Sequence, residues 1–226
     1  MISVIIPTLN EEQRIEKLLP QIIQLLKNIP HELIVVDGGS SDQTIQQAER
    51  FANVYQLSKG NRGAQLCYGV EQSRGDFLWF LHSDSELEIE FTELVKLQQV
   101  LRNSEYSAAF FQLSFDSSDK FFTYLAWTSS LRARFLGLIF GDQGLFVTRE
   151  CYQQAGGFDA VPLMEDWQLS RRLRKIGKFY PATGKISTSS RRFRKGKLRT
   201  HLAMHRIKLL YLLGMSSEKL AKRYYK

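Results

Sequence analysis

Only two cysteines occur, Cys67 and Cys151, far apart and without metal-ligand spacing. Two isolated thiols exclude a disulfide scaffold and point to a reducing compartment. No stretch reaches the roughly 18 uninterrupted apolar residues of a membrane-spanning helix. The amino terminus, Met1-Ile2-Ser3-Val4-Ile5-Ile6-Pro7, has no basic leader and no small-residue cleavage site. The expectation is therefore a cytoplasmic chain. Internal repeats and low-complexity segments are absent too, which excludes solenoid and fibrous classes.

A hydrophobic content of 43% with 24% charged residues suffices for one large packed domain. Charge is unevenly placed within the net +8. Arg191–Lys226 holds twelve Lys and Arg against one acid, Glu218, a local +11, which leaves −3 for the first 190 residues. A mildly acidic body with a strongly basic tail seeks phosphate groups. The acidic body and the lack of an RNA-reading aromatic motif argue against nucleic acid as the partner.

Hydrophobic patterning predicts strands at Ile2–Ile6, Leu33–Val36, Val54–Leu57 and Phe77–Leu81. Between them fall helical patterns at Glu11–Lys27, from a Ser40/Ser41 cap to Phe51, and at Asn61–Ser73. Repeated β-α units with short links mean an α/β fold with a mostly parallel, Rossmann-like sheet and helices on both faces. The second half predicts strands at Tyr106–Phe115 and Gly144–Thr148. Helices are expected at Asp119–Leu136, Met164–Ile176, Leu198–Leu213 and Ser216–Tyr225. The expected division is residues 1–195 as the α/β domain and 196–226 as a basic amphipathic helical tail.

In open α/β sheets ligands bind beyond the carboxyl ends of the strands. The four strand ends read Pro7-Thr8-Leu9-Asn10-Glu11, Asp37-Gly38-Gly39-Ser40-Ser41-Asp42, Ser58-Lys59-Gly60-Asn61-Arg62 and His82-Ser83-Asp84. Turn and cap chemistry accounts for Ser40, Ser41 and Asp42. It accounts less well for Asp37 and His82-Ser83-Asp84, which follow their strands without a gap. The first loop lacks the Gly-rich turn of a dinucleotide site and the Gly-Lys-Ser/Thr of a P-loop. If a nucleotide diphosphate binds here, its charge must be met by other means. A divalent cation, Mn²⁺ or Mg²⁺, on the carboxylate of Asp84 is the candidate.

These segments together resemble glycosyltransferase family 2, of the inverting GT-A fold. Ser3–Glu12 resembles its opening strand and nucleotide loop, Glu32–Thr44 its second strand and base-recognition loop, and Lys59–Gly69 its diphosphate-proximal helix. Phe80–Asp84 occupies the place of its Asp-x-Asp metal motif. Gly141–Gly144 and Met164-Glu165-Asp166 resemble its acceptor-side loop and its Glu-Asp motif. The tail is similar to a subfamily associated with radical-SAM or selenium-linked genes. The resemblance implies a metal-assisted glycosyltransferase using a UDP- or GDP-sugar. Pro7, Thr8, Asn10, Glu11 and Asp37 would hold the nucleoside, with Arg62 near the diphosphate. Asp84 would bind the metal and the donor. Asp166 would be the general base beside Glu165, and Arg192 would belong to a basic element closing on the diphosphate.

Three departures matter. His82 replaces the first Asp of the metal motif, the Asn common near Cys67 is missing, and no Gln-x-x-Arg-Trp follows Glu165-Asp166. The last implies non-processive transfer. Each role has a structural alternative. Glu165 and Asp166 open a helix, where acids are favoured anyway, and Asp84 would serve as an N-cap. His82 reads as a packed or hydrogen-bonded histidine. His201 and His205 are four apart, but Leu202 stands where a zinc protease has its glutamate, so they read as helix-face residues. Phe121, Phe122, Tyr124 and Trp127 read as core or acceptor-groove packing, and Lys59 and Arg62 as either a solvated face or phosphate neighbours. The tail either lies on an anionic membrane, which would suit a lipid-linked acceptor and place the chain at the inner face, or packs on the domain. Competing functions are a sugar-phosphate nucleotidyltransferase, disfavoured by the first loop, and a non-catalytic basic membrane- or nucleic-acid-binding module.

Overall fold

The computed structural model describes residues 1–58, 61–103 and 105–224. Lys59 and Gly60 of the third strand-end loop, and Tyr225 at the end of the last expected helix, lie outside the described residues. The strands are β1 (Ile2–Thr8), β2 (His31–Asp37), β3 (Asn53–Gln56), β4 (Phe77–Phe80), β5 (Glu86–Glu88), β6 (Tyr106–Phe115), β7 (Phe146–Thr148) and β8 (Lys178–Thr188). The helices are α1 (Glu12–Leu26), α2 (Thr44–Glu49), α3 (Arg62–Glu71), α4 (Phe91–Val100), α5 (Lys120–Leu131), α6 (Arg149–Gln154), α7 (Glu165–Ile176), α8 (Lys197–Leu212) and α9 (Ser217–Tyr224).

The described strands form one sheet in the order β3-β2-β1-β4-β7-β6-β8-β5. β1, β2, β3 and β4 run parallel. β7 then inserts antiparallel between β4 and β6, and β6 and β8 are again parallel. The first half thus follows the expected β-α alternation, and the second half is mixed. From β1 the chain winds outward through β2 and β3, then returns to place β4 on the other side of β1. That reversal opens a crevice at the carboxyl ends of β1 and β4, where ligands bind in such sheets.

Strand alternation divides the core into two layers. Ile2, Val4 and Ile6 face Ile15, Leu18, Leu19, Ile22 and Leu26 of α1 and Leu94 and Leu97 of α4. Ile5 points the other way, onto Leu66 of α3 and Leu169 and Leu173 of α7. β1 and β4 are buried along their whole length. These strands are therefore fixed in place, and so are the loops that leave them.

Several expectations need correction. Ser40 and Ser41 do not cap α2. The helix starts only at Thr44, and its preceding residue Gln43 makes no side-chain cap. Ser40 instead bonds Asp37 and the first loop. The helix expected through Leu136 ends at Leu131 and continues as a π-helical turn to Leu136, closed by Gly137 at φ 63°. β5, α4, α6 and β8 were not anticipated. β8 contains Pro181 and Gly184, both poor strand residues. A register shift between Phe110 and Gln112 of β6, opposite Pro181–Lys185, absorbs them.

α8 and α9 pack on the body. Ile207, Leu220 and Ala221 join Leu138, Leu163, Met164 and Trp167 in one buried cluster. Ser217 Oγ donates to the carbonyl of Leu163 and accepts from its N–H at 3.2 Å. The start of α9 thereby grips the loop that leads into Glu165-Asp166.

Candidate active site

Loops 8–11 and 37–44, which follow β1 and β2, are stitched into one wall. Asp37 is fully buried and accepts from its own turn: Gly39 N at 2.8 Å, Ser40 N at 2.7 Å and Ser40 Oγ at 2.5 Å. Thr8 Oγ1 adds a longer bond to it at 3.3 Å. The carboxylate therefore shapes loop 38–40, and Thr8 backs it. Asn10 sits at φ 54° and exchanges bonds with the second loop, its N–H to Ser40 Oγ at 2.8 Å and its Oδ1 from Ser41 N at 2.9 Å. Asn tolerates this left-handed conformation better than most residues. Glu11 N donates to Thr44 Oγ1 at 2.8 Å. Pro7 lies within β1, paired with Val36. Gln65 of α3, which sequence reasoning did not single out, is buried and donates to the carbonyls of Thr8 at 2.9 Å and Val36 at 2.7 Å. A buried amide in an otherwise apolar helix face was the signal available.

Asp84 follows β4 after the turn closed by Ser85 N to His82 O. Its side chain is 17% exposed. Arg14 Nη1 and Arg191 Nη2 each lie 3.8 Å from Asp84 Oδ2. Both arginines also pair with Glu11, Arg14 at 3.0 Å. The crevice end of β4 thus holds two carboxylates and two guanidinium groups. Of the basic element, Arg191 is the member that reaches these carboxylates. Arg192 hydrogen-bonds the Tyr224 hydroxyl and stacks over its ring at 5.1 Å.

No group of three or more His, Cys, Asp and Glu that could hold a metal occurs among the described residues. A hard cation needs no such group where one carboxylate is joined by water and substrate phosphates. Asp84 suits such a role, being partly exposed at a strand tip with only ion-pair partners.

Across the crevice, α7 begins with Glu165-Asp166. Met164, immediately before it, is buried at φ 68°, an uncommon backbone state for a side-chain-bearing residue. Asp166 Oδ1 accepts from Trp167 N at 2.7 Å and Oδ2 from Gly141 N at 3.2 Å. Arg62 bonds Glu165 Oε1 and lies 3.5 Å from both Asp166 Oδ2 and His82 Nε2. Arg62, His82, Gly141, Glu165 and Asp166 line one small pocket. Glu165 is fully buried, and its burial pushes its pKa up despite Arg62. Burial first, then the Arg62 charge, pulls the His82 pKa down to about 3, so the ring is neutral. A methyl group on Gly141 would overlap His82 Nε2, so that glycine permits the ring's close approach.

Beyond Asp166, Phe140 stacks on Trp167 with centroids 5.9 Å apart. Arg132 lies 3.8 Å and Lys208 of α8 5.0 Å from the Phe140 ring centroid. Burial, then Arg132, draws the Lys208 pKa down to about 8, while burial raises that of Asp142. Among the described residues, Asp142 Oδ1 and Trp167 Nε1 are buried with no hydrogen-bond partner. Asp142 was expected only as part of the Gly141–Gly144 loop, and Arg132 and Lys208 were not predicted. Arg132 is tied to that loop through Gln143 Oε1 at 2.6 Å, and the packing of α8 adds Lys208. Phe121 and Phe122 pack around Phe193, as core. His201 and His205 meet edge to face with centroids 4.4 Å apart.

A switch-point crevice with a carboxylate at the tip of a central strand, faced by an acidic pair at a helix start, defines a GT-A type α/β protein. Residues 3–158 match Glycosyl transferase family 2, and the chain belongs to that family. Over 120 residues it is 28% identical to a dolichyl-phosphate β-glucosyltransferase (ALG5D) of Trichomonas vaginalis. That alignment covers 46% of this chain and 37% of the relative, so the chain spans well under half of that protein. Among solved structures, the mannosyltransferase PcManGT of Pyrobaculum calidifontis, in complex with GDP-Man and Mn²⁺, superposes with TM-score 0.68 at 17% identity, covering 99% of this chain and 67% of the other. Glucosyl-3-phosphoglycerate synthase of Mycobacterium tuberculosis, with Mn²⁺, UDP-glucose and glycerol 3-phosphate, gives 0.63 at 22% identity, covering 94% and 79%. These likenesses establish the GT-A fold.

Proposed function

We propose that this chain is a non-processive, inverting glycosyltransferase that takes a sugar from a UDP- or GDP-sugar. The carrying observation is that, in a chain of this family, the β4 end that bears His82 and Asp84 meets the start of α7 through Arg62, which lies 3.5 Å from both His82 Nε2 and Asp166 Oδ2. The wall of Thr8, Asn10, Glu11 and the Asp37 turn receives the nucleoside. Asp84 would hold the divalent cation, Mn²⁺ or Mg²⁺, a reading supported by the Mn²⁺ present in complexes of the structural relatives. When bound, that ion would supply charge stabilisation for the departing diphosphate.

Asp166 accepts the proton of the acceptor hydroxyl as the new bond forms. An ordinary carboxylate is too weak a base to ionise that hydroxyl beforehand. Timed with bond formation, such transfer contributes roughly 10²–10⁴-fold. The N–H groups of Trp167 and Gly141 aim the carboxylate. Glu165 anchors Arg62, which would stand at the diphosphate with Arg191, the cation that reaches Asp84 and Glu11. A lipid-linked acceptor is supported by the dolichyl-phosphate relative. A peripheral position at the membrane is supported by the basic tail, and no described helix is long and apolar enough to cross a membrane. Assignment to the radical-SAM-associated subfamily rests on the tail alone.

A thermal-shift panel of UDP-, GDP- and dTDP-sugars with and without Mn²⁺ tests this. The matching donor should stabilise the chain by mass action, about 2.7 kcal/mol at a hundred times its Kd. Asp84→Ala should remove the metal-dependent part. Asp166→Asn should keep donor binding and stop transfer. Metal-dependent stabilisation that survives in Asp84→Ala would refute the assignment.

A further inference from the structure

Helix α8 is attached to the body by one side only. Ile207 is its one buried residue among those described. At about 100° per residue, Leu198, Leu202, Leu209, Leu212 and Leu213 fall on a single stripe opposite Ile207. All five are between 57% and 74% exposed. A soluble helix normally turns such a stripe inward. Tyr124 on the outer face of α5 touches the stripe's edge through His201, ring centroids 6.4 Å apart. Trp127, one turn further along the same face of α5, is 60% exposed.

Cations flank this apolar face. Arg199 and Arg206 project from one border of the α8 stripe, and both are exposed. The surrounding segment from Arg191 carries a net +11. Symmetric self-association through the stripe would bring Arg199 and Arg206 against their own copies, which opposes a dimer. An anionic bilayer satisfies both features at once, accepting the leucines below its headgroups and the arginines among its phosphates. α8 has 16 residues and lies across the body, so it would sit in the interface plane.

We propose that the outer face of α8, extended by Tyr124 and Trp127 of α5, is an in-plane docking surface for an anionic lipid bilayer. This deepens the reading of the chain as a transferase with a lipid-linked acceptor and rests on it for its purpose. Lys208, on the flank of the same helix, lines the acceptor side through Phe140. Docking would therefore bring Phe140 and Trp167, which adjoin Asp166, towards the headgroups that carry a lipid-borne acceptor.

The test is flotation of the full chain with vesicles of phosphatidylcholine, alone or with about a third phosphatidylglycerol, at about 0.1 M salt. Binding is expected only with the anionic lipid. Arg206→Gln should weaken it about fivefold, and Leu202→Asp and Leu209→Asp on the order of tenfold each. Trp79 and Trp167 are buried, so a blue shift of tryptophan emission on vesicle addition should vanish in Trp127→Phe. The exposed positions of the leucines predict unchanged melting temperatures and unchanged donor stabilisation in the variants. Loss of donor binding in the wild type would sink the transferase reading and leave vesicle binding standing. The docking surface is overturned if the double leucine variant floats like the wild type, if the wild type does not float, or if lipid-free sedimentation shows a dimer that Leu202→Asp dissolves.

Discussion

Arg62→Ala tests the electrostatics of the pocket most sharply. Glu165 is fully buried, and its Oε2 has no hydrogen-bond partner among the described residues. The Arg62 pairing at Oε1 is the largest offset to its desolvation, with a backbone hydrogen bond adding to it. Without Arg62 the carboxyl must take up a proton to stay folded. The ceiling on that cost is the work of protonating a group whose ordinary value is 4.5. At 1.36 kcal/mol per pH unit it is about 3.4 kcal/mol at pH 7 and about 0.7 kcal/mol at pH 5. For a chain of this length about 1 kcal/mol moves the melting temperature by 2–4 °C. The predicted loss is thus up to about 7–14 °C at pH 7 and about 1–3 °C at pH 5. The sign follows from a folded-state pKa above the unfolded one. The folded chain holds the proton more tightly, so the deficit opens as pH rises above the unfolded value and closes below it. Calorimetry of the wild type and the variant at both pH values reads the difference. Adding Glu165→Gln should recover most of the pH 7 loss, because an amide has no charge to desolvate. An equal loss at both pH values, or none at pH 7, would refute the reasoning.

Two further substitutions probe how the site is held. Gly63→Ala would drive a methyl group against Val161 N at 2.7 Å and closer still to the carbonyls of Asp159 and Val161. All three are backbone atoms, so α3 must shift and carry Arg62 with it. A loss of about 1–3 kcal/mol in stability, with weakened donor stabilisation, is expected, and a wild-type melting curve would show that the 159–161 loop yields. Gln65→Leu strips the buried Thr8 and Val36 carbonyls of a shared donor. It should cost about 1–3 kcal/mol and loosen the nucleoside wall, seen as faster amide exchange at residues 8–11, and unchanged exchange there would discount the bridging role.

The first half of the fold was legible because its signals are local. Ile2, Val4 and Ile6 alternate with Ile5, α1 repeats its leucines and isoleucines at helical spacing, and each strand ends in polar residues. Such patterns follow from burial on a sheet with two covered faces. The second half depends on pairing across long sequence separations. β7 is three residues long and owes its place to β4 and β6 on either side. β8 survives Pro181 and Gly184 only because β6 shifts register opposite them. Neither condition can be seen in the segment itself.

The site divides along the same line. Asp84 was named because it follows a strand that announces itself, β4, and Asp166 because Met164-Glu165-Asp166 resembles the family's Glu-Asp motif. Asp37 was found for the same reason as Asp84, but its neighbours were not read correctly: a turn that folds back onto its own acid looks, as a string, like a loop awaiting a ligand. Its two oxygens are met by Gly39, Ser40 and Thr8, so what it does is shape the loop. Arg14, Arg132 and Lys208 were missed, and Arg191 was named only as part of a basic element, because a long cationic side chain carries no directional signal in sequence. Where its guanidinium or ammonium group lands depends on which helix packs where. A charged residue following a buried strand can therefore be placed from sequence, whereas one reaching in from a neighbouring helix can be placed only by the packing. The surround of Phe140, assembled from α8, the π-helical turn and the 140–143 segment, is made almost wholly of the second kind.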